Sequence, residues 1–209
     1  EQNHILHFLQ KVFPIVVPEV YVRLKNAWRW AGIEADLPDI AYLPKIRLGS
    51  WVGGDRDGHP LVTIEHTRRS LQQFREGAMR LLHEQVSRLA ASFSMDEHYA
   101  RPNAVFLDRL MEMEREIPRL GKQRETWRHY LNQVTMRLTQ IPQAYTRADQ
   151  LLRDLLILRH ALLQVGCVHL VDTELDPVIH LVRVFPFTLA RLDLRQNSAY
   201  QEKAFLQIL

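Results

Sequence analysis

The stretch GSWVGGDRDGHP, residues 49–60, decides the fold more than any other part of the chain. Its first residues are typical of a strand, and Gly53-Gly54 ends that strand in a charged turn. A second stretch, LDLRQNS at residues 192–198, has the same order of apolar strand and polar turn. An α/β barrel builds the rim of its active site from strands that end in this way. The two stretches therefore predict two barrel strands, over residues 46–52 and 188–194.

Between the predicted strands lie about 135 residues whose apolar side chains recur at helical spacing. This length far exceeds an ordinary crossover, and it predicts a large all-helical insertion over residues 64–184. No linker or internal repeat divides the chain, so residues 1–209 are expected to form a single segment. The predicted fold is mostly α, as a fragment of an α/β (TIM-like) barrel with that insertion between two barrel strands. The expected helices cover residues 5–13, 17–30, 64–93, 103–117, 125–140, 147–165 and 172–184, with Pro14 and Pro18 interrupting the run between the first two.

The turn after the first strand holds three charged residues, Asp55, Arg56 and Asp57. The preceding Gly53-Gly54 pair reaches backbone conformations closed to other residues and can turn amide N–H groups toward an anion. One interpretation is a rim loop that directs Arg56 or Trp51 toward a substrate. The alternative is a buried, salt-bridged turn that locks the loop to the next helix. A calcium loop and a P-loop are excluded, because the further oxygen ligands and the Lys-Ser/Thr pair are missing.

The second strand predicts a charged face, with Arg191, Asp193 and Arg195 on one side and apolar residues on the other. Such a face suits a barrel strand only where its charged end meets the mouth of the barrel. The planar guanidinium of Arg195 matches a phosphate or carboxylate group through two hydrogen bonds. The alternative is an ion pair of Arg195 with Asp193 or another local acid. Asp193 is interpreted as a group that orients its neighbours rather than as a base.

Composition and charge are ordinary for a soluble globular protein, with 46% apolar and 24% charged residues. The net charge of +3 suits an anionic substrate and is too small to indicate nucleic acid. Cys167 is the single cysteine, which excludes a disulfide and fits a cytoplasmic protein. From the composition of its first residues we expect no signal peptide, and from the absence of an apolar run of about 18 residues we expect no membrane partner. The histidines are scattered, and no metal site is predicted in this chain.

The two stretches resemble the motifs GSWxGGDRDGxP and LDLRQ-S of phosphoenolpyruvate carboxylase, in the family's order and at about its spacing. The resemblance covers nearly all of this chain and only a middle slice of that longer enzyme. It implies that Trp51 lines an apolar pocket beside the active site and that Arg195 contacts the phosphoryl group of phosphoenolpyruvate. Arg56 is a further substrate-binding candidate, and His59 stands where the family usually has Asn, which predicts altered turn contacts. The residues expected to structure the loops are Asp55, Asp57, Gly53, Gly54 and Asp193.

The family adds bicarbonate to phosphoenolpyruvate, giving oxaloacetate and phosphate, with Mg²⁺ or Mn²⁺. The resemblance implies metal ligands outside this chain, a cytoplasmic location and a homo-oligomer, typically a tetramer. The family's TAHPTE-type segment is not found in this sequence. The same is true of its later segments, which carry the metal ligands and a glycine-rich loop. We therefore expect a truncated segment of the enzyme that has no measurable carboxylase activity of its own.

Two other functions stay open on the sequence alone. One is a free-standing helical interaction module derived from that enzyme, which would bind a partner helix or subunit. The other is a phosphate-binding barrel enzyme of another reaction type. Flanking sequence that carries the glycine-rich loop would favour the carboxylase, whereas different acidic residues in the missing strands would favour another reaction.

Overall fold

The computed structural model describes residues 2–33, 40, 43–57, 59, 61–95, 100–118, 125–139 and 144–207. Within them the chain is mostly helical, which confirms that part of the predicted fold class. Two short strands flank helices α3 to α8 in sequence. The helices are α1 (Gln2–His7), α2 (Phe13–Trp30), α3 (Ile64–Ser92), α4 (Ala104–Glu116), α5 (Thr126–Thr139), α6 (Ala148–Gln164), α7 (Val168–Leu170), α8 (Asp176–Val184) and α9 (Ser198–Leu206), and the strands are β1 (Gly49–Ser50) and β2 (Arg191–Leu192).

Helices α1 and α2 are joined, so the expected interruption between residues 13 and 17 is wrong. Phe8–Val12 forms a π-helical turn that carries α1 directly into α2. Pro14 stands in the first turn of α2, directly after this π-helical turn, and its ring nitrogen donates no hydrogen bond to the preceding turn. Pro18 lies inside the helix and removes one backbone hydrogen bond, and the packing of α2 on α8 holds the helix together across it.

The joined helices, residues 2–30, contain an 18-residue stretch that is long and apolar enough to cross a membrane, by length and composition only. This corrects the expectation that no segment of that kind exists. Core helices of soluble proteins meet the same criterion, so it does not by itself indicate a membrane protein. In the structure α2 packs on α8, while Ile15, Val20 and Trp30 remain exposed. The start of the chain therefore presents apolar side chains to its surroundings.

The hydrophobic core lies among α3, α5, α6 and α8. Helix α3 is 29 residues long, and its buried side chains recur at every fourth position, as at Phe74, Ala78, Leu82 and Val86. They pack mainly on α5, whose Trp127 is fully buried. Burial of such large apolar side chains is the main favourable term for this part of the molecule. We call helices α2 to α8 the helical body.

A buried carboxylate, Asp154 on α6, joins three helices of the body. Arg109 of α4 donates to both of its oxygens, at 2.7 and 3.1 Å, and the Tyr145 hydroxyl donates to it at 2.6 Å. Tyr130 of α5 donates to the backbone carbonyl of Asp154 at 2.9 Å. The hydrogen bonds with Asp154 raise the pKa of Arg109, and burial together with this carboxylate raises the pKa of Tyr130 and Tyr145. These groups therefore keep their ordinary charge states, and the network stays satisfied.

A stacked pair of rings joins α2 to α8. The ring of His180 is stacked on Tyr21, with centroids 3.7 Å apart and planes 2° from parallel. His180 is buried, and its Nδ1 has no hydrogen-bond partner among the described residues. Burial, followed by the nearby charges of Arg183, Lys25 and Arg159, lowers the pKa of His180 to about 3. The imidazole is therefore neutral at physiological pH.

The strands β1 and β2 are parallel neighbours, with Gly49 opposite Arg191 and Ser50 opposite Leu192. Each is shorter than the predicted strand, because regular pairing covers two positions. Single backbone hydrogen bonds extend it on both sides, from Arg191 to Leu48 and from Asp193 to Ser50, each at 2.9 Å. A strand pair forms its full ladder only where both neighbours run straight, and here the Gly53-Gly54 turn ends the pairing early.

Candidate functional site

The turn that follows β1 is closed by its own backbone. The Trp51 carbonyl accepts hydrogen bonds from the N–H groups of Gly54 at 2.9 Å and Asp55 at 3.0 Å. The N–H of Val52 donates to the Ser50 hydroxyl at 3.2 Å. These amides are therefore occupied within the turn, and they do not form the anion-binding nest that the glycines suggested.

Gly53 and Gly54 are required here by close packing. Gly53 has a φ of 88°, and a Cβ on it would lie 2.1 Å from the Ser70 hydroxyl oxygen of α3. A Cβ on Gly54 would lie 2.3 Å from the carbonyl oxygen of Asp193. The two glycines thus let the turn sit between α3 on one side and the end of β2 on the other.

Arg56 is directed toward α3. Its Nη2 donates to the Thr67 hydroxyl at 3.0 Å, and that hydroxyl donates to the carbonyl of Gly53 at 2.9 Å. Its Nε is buried without a hydrogen-bond partner among the described residues. In this geometry Arg56 fixes the turn to the helix, as the alternative interpretation expected, through the Thr67 hydroxyl rather than through the salt bridge that interpretation included.

Arg195 lies beside the same turn. Its N–H donates to the carbonyl of Gly54, and its carbonyl accepts from the N–H of Arg56, each at 3.0 Å. These reciprocal bonds form a parallel bridge between Asp55 and Arg195. The Arg195 guanidinium carbon stands 5.3 Å from the ring centroid of Trp51, within cation–π distance. The two stretches that the sequence singled out therefore meet, and we call residues 51–57 with Arg195 the strand-end site.

Arg195 is exposed, and no described carboxylate lies within 4.0 Å of its guanidinium. The alternative ion pair with Asp193 is therefore not formed in the structure. Asp193 is exposed, and its backbone carries the contacts with Ser50 and Gly54. Asp57 is exposed as well. Asp55, the bridge partner of Arg195, is partly buried. Gly58 lies outside the described residues, while His59 is exposed and its carbonyl accepts from Val62 at 3.0 Å.

Two residues of α3, Thr67 and Ser70, support the site and were not singled out in the sequence. Both are buried, and they stand three positions apart on the side of α3 that faces the turn. A small polar pair within an otherwise apolar helix face is the signal that could have found them. Gln196 also escaped attention, although its Oε1 is buried and has no hydrogen-bond partner in the described part of the chain.

The strand-end site places an aromatic ring beside a planar cation, with the carboxylates of Asp55 and Asp57 in the same turn. No group of three His, Cys, Asp or Glu side chains that could hold a cation is found in the described ranges. Trp51, about half exposed, and the Arg195 guanidinium instead offer an apolar wall next to a planar positive group. That arrangement can bind a small phosphate or carboxylate and exclude water from one side of it.

Comparison with known proteins shows which family the chain belongs to. The family model for phosphoenolpyruvate carboxylase matches residues 1–209. The chain belongs to the phosphoenolpyruvate carboxylase family. Curated relatives named phosphoenolpyruvate carboxylase include those of Thermosynechococcus vestitus, 29% identical over 100% of this chain, and Methylorubrum extorquens, 29% identical over 95%. The relative from Azorhizobium caulinodans is 31% identical over 98% of this chain.

The chain spans about a quarter of the length of these phosphoenolpyruvate carboxylases, 23% for the first two and 24% for the third. The resemblance found in the two sequence motifs is therefore confirmed at the level of the family. The strand-end site lies within those two motifs, and the helical body lies within the same matched range of residues 1–209.

Proposed function

We propose that this chain is the part of a phosphoenolpyruvate carboxylase that binds the phosphoryl end of phosphoenolpyruvate. The observation that carries the proposal is the juxtaposition of Arg195 and Trp51, 5.3 Å apart at the end of the parallel strand pair. Arg195 would bind the phosphoryl oxygens through its guanidinium fork, because no described carboxylate competes for it. Trp51 would hold the fork from one face and keep water from the other side of the substrate.

The rest of the site would act by positioning. Arg56 and Thr67 fix the turn to α3, so the Trp51 ring keeps its place beside Arg195. The backbone bonds between Gly54, Arg56 and Arg195 set the distance between the two loops. In the reaction of the family, bicarbonate attacks the phosphoryl group and breaks its bond to the enol oxygen, which gives carboxyphosphate and the enolate. Carboxyphosphate then splits into phosphate and carbon dioxide, and the enolate captures the carbon dioxide to form oxaloacetate. A cation beside the phosphoryl group stabilises the charge that this transfer displaces.

The proposal extends to the complete enzyme. The strand pair would belong to a TIM-like barrel, and its remaining strands would bring the Mg²⁺ or Mn²⁺ ligands, because the described residues do not fit a metal site. The enzyme would act in the cytoplasm as a homo-tetramer on phosphoenolpyruvate and bicarbonate. The 209-residue chain alone would bind phosphoenolpyruvate weakly and would not carboxylate it.

Calorimetric titration of the chain with phosphoenolpyruvate tests the proposal. Arg195→Gln is expected to weaken binding at least tenfold, because it removes a charge-assisted contact worth roughly 1.5–3 kcal/mol. Arg195→Lys keeps the charge without the fork and should fall between the two. Arg69→Gln, at an exposed position of α3, serves as the matched control and should bind like the parent.

A coupled assay of oxaloacetate formation with phosphoenolpyruvate, bicarbonate and Mg²⁺ tests whether the 209-residue chain alone carboxylates phosphoenolpyruvate. We expect no turnover by the 209-residue chain. Turnover by the chain alone would contradict the proposed division of the active site. Binding that is equally strong in the parent and in Arg195→Gln would contradict the role of Arg195.

The exposed apolar side chains of residues 2–30 favour a second candidate, the helical interaction module. Such a module would bind a partner through Ile15, Val20 and Trp30 and would not need Arg195. Two results together would favour the interaction module over the carboxylase segment. The chain would not bind phosphoenolpyruvate, and it would self-associate or bind a partner in a way that is lost on Val20→Glu.

A further inference from the structure

A second cleft lies at the other end of the strand pair. It is lined by Lys45, Arg47 and Leu48, which precede β1, and by Ala190 and Arg191 at the start of β2. The strand-end site follows the same two strands. Because the strands are parallel, the two sites lie at opposite ends of the pair. The cleft has a volume of about 230 Å³, and we call it the basic cleft.

Positive charge is concentrated in the basic cleft. Four cationic side chains line it, Lys45, Arg47, Arg183 and Arg191, against one carboxylate, Asp149. Their sum of +3 equals the net charge of the whole chain. Asp149 is engaged on its other side by Arg147, with Nε to Oδ1 at 3.0 Å. The lining is therefore more positive than its residue types alone indicate.

Three of these cations are available to a ligand. Lys45, Arg47 and Arg191 are exposed, and no carboxylate of the described residues lies within 4.0 Å of their charged groups. Arg183 differs, because it is buried and donates to the carbonyls of Ile40 and Leu43. A cluster of four cations with a single carboxylate, Asp149, among them raises the local potential and attracts anions.

The remaining walls of the basic cleft are apolar. Leu152 of α6, Val182 and Val184 of α8, and Pro186 line it. Its volume is below the ~300–1,000 Å³ of sites for drug-sized ligands, so it suits a small molecule rather than a nucleotide. An apolar wall next to Lys45, Arg47 and Arg191 favours a ligand that has an anionic group at one end and an apolar group at the other.

We propose that the basic cleft binds a small organic phosphate or carboxylate whose apolar group packs on Leu152 and Val182. The anionic group would contact Lys45, Arg47 and Arg191. This site is separate from the strand-end site, and it requires neither Trp51 nor Arg195.

Calorimetric titration with phenyl phosphate and with inorganic phosphate tests the proposal. All proteins carry Arg195→Gln, so that binding at the strand-end site does not contribute. Phenyl phosphate is expected to bind about tenfold more tightly than inorganic phosphate, because its ring is buried on the apolar wall. The triple variant Lys45→Gln/Arg47→Gln/Arg191→Gln is expected to weaken phenyl phosphate binding at least tenfold.

The matched control is Arg69→Gln/Arg75→Gln/Arg115→Gln, which removes the same charge from exposed positions outside the basic cleft. It should bind phenyl phosphate as the parent does. Equal weakening in both triple variants would assign the effect to net charge and overturn the proposal. Binding no tighter than that of inorganic phosphate, or no binding in the Arg195→Gln background, would overturn it as well. A Leu152→Ala variant that loses the preference for phenyl phosphate would support it.

Discussion

The helical body and the strand-end site differ in what their charged side chains contact. In the body, the Asp154 carboxylate accepts from Arg109 and Tyr145 and is fully buried. At the strand end, the Arg195 guanidinium faces only an aromatic ring among the described residues and is exposed. Charges that are satisfied internally stabilise the fold, whereas a charge left at the surface of an ordered turn is available for a ligand. Charged side chains therefore contact one another inside the body, whereas Arg195 at the strand end contacts an aromatic ring and solvent.

The largest expected effect comes from breaking the body at Asp154. Asp154→Ala should lower the free energy of unfolding by about 3–5 kcal/mol, because the buried Tyr145 hydroxyl would lose its acceptor and the partly buried Arg109 would keep only Glu112. Urea unfolding followed by circular dichroism measures it. Asp108→Ala, at an exposed position on α4, is the control and should change stability by less than about 0.5 kcal/mol. A small effect at Asp154 would show that the network contributes little.

The next effect depends on pH and on His180. The pKa of His180 is lowered to about 3 in the folded protein, whereas an unfolded histidine titrates near ~6.5. The unfolded state therefore binds more protons between these values, and stability is lost as the pH falls through this window. Between pH 7 and pH 4 the parent should lose about 3 kcal/mol more than His180→Gln, which lacks the titrating group. Parallel pH profiles of unfolding free energy in the two proteins would contradict this role.

A smaller effect tests the packing at the strand end. Gly53→Ala should destabilise the protein by about 1–3 kcal/mol, because a positive φ and a close approach to Ser70 both oppose a side chain. Gly166→Ala is the matched control, since Gly166 has a φ of 80° and nothing within 4 Å of the added Cβ. The difference between the two variants in thermal unfolding isolates the contact with Ser70. Equal losses would mean that only the backbone conformation matters.

The smallest expected effect on stability is that of Arg195→Gln, and it tests most directly whether the strand-end site differs from the helical body. Arg195→Gln should change the free energy of unfolding by less than about 0.5 kcal/mol, because the side chain is exposed and its backbone bonds remain. The same variant is the one expected to lose phosphoenolpyruvate binding. A large loss of stability would instead place Arg195 with the structural charges of the body.

Regular helices were well predicted by the sequence, because their apolar periodicity reflects burial directly. Helix α3, expected over residues 64–93, is found over Ile64–Ser92. The predictions failed at residues 13–18, where proline was expected to break a helix that continues, since tertiary packing outweighs a local preference. The strands were predicted too long, because a strand-like pattern does not reveal how many positions find a partner.

Within the site, the sequence identified the residues and misjudged some of their roles. Trp51 and Arg195 were expected on a common edge, and they lie together. The turn was expected to present amides to an anion, yet the Gly54 and Asp55 amides bond to the Trp51 carbonyl within the turn. The Arg56–Thr67 and Arg109–Asp154 contacts join residues 11 and 45 positions apart and arise from tertiary packing, which residue type alone does not encode.

The reciprocal backbone bonds between Gly54, Arg56 and Arg195 have a consequence for how the protein is made. They join positions about 140 residues apart, with the helices α3 to α8 between them. During synthesis on the ribosome the Trp51 turn emerges long before its partner, so it must wait for the intervening helices to fold. The backbone bonds that close the strand-end site therefore form only after α3 to α8 have been synthesised.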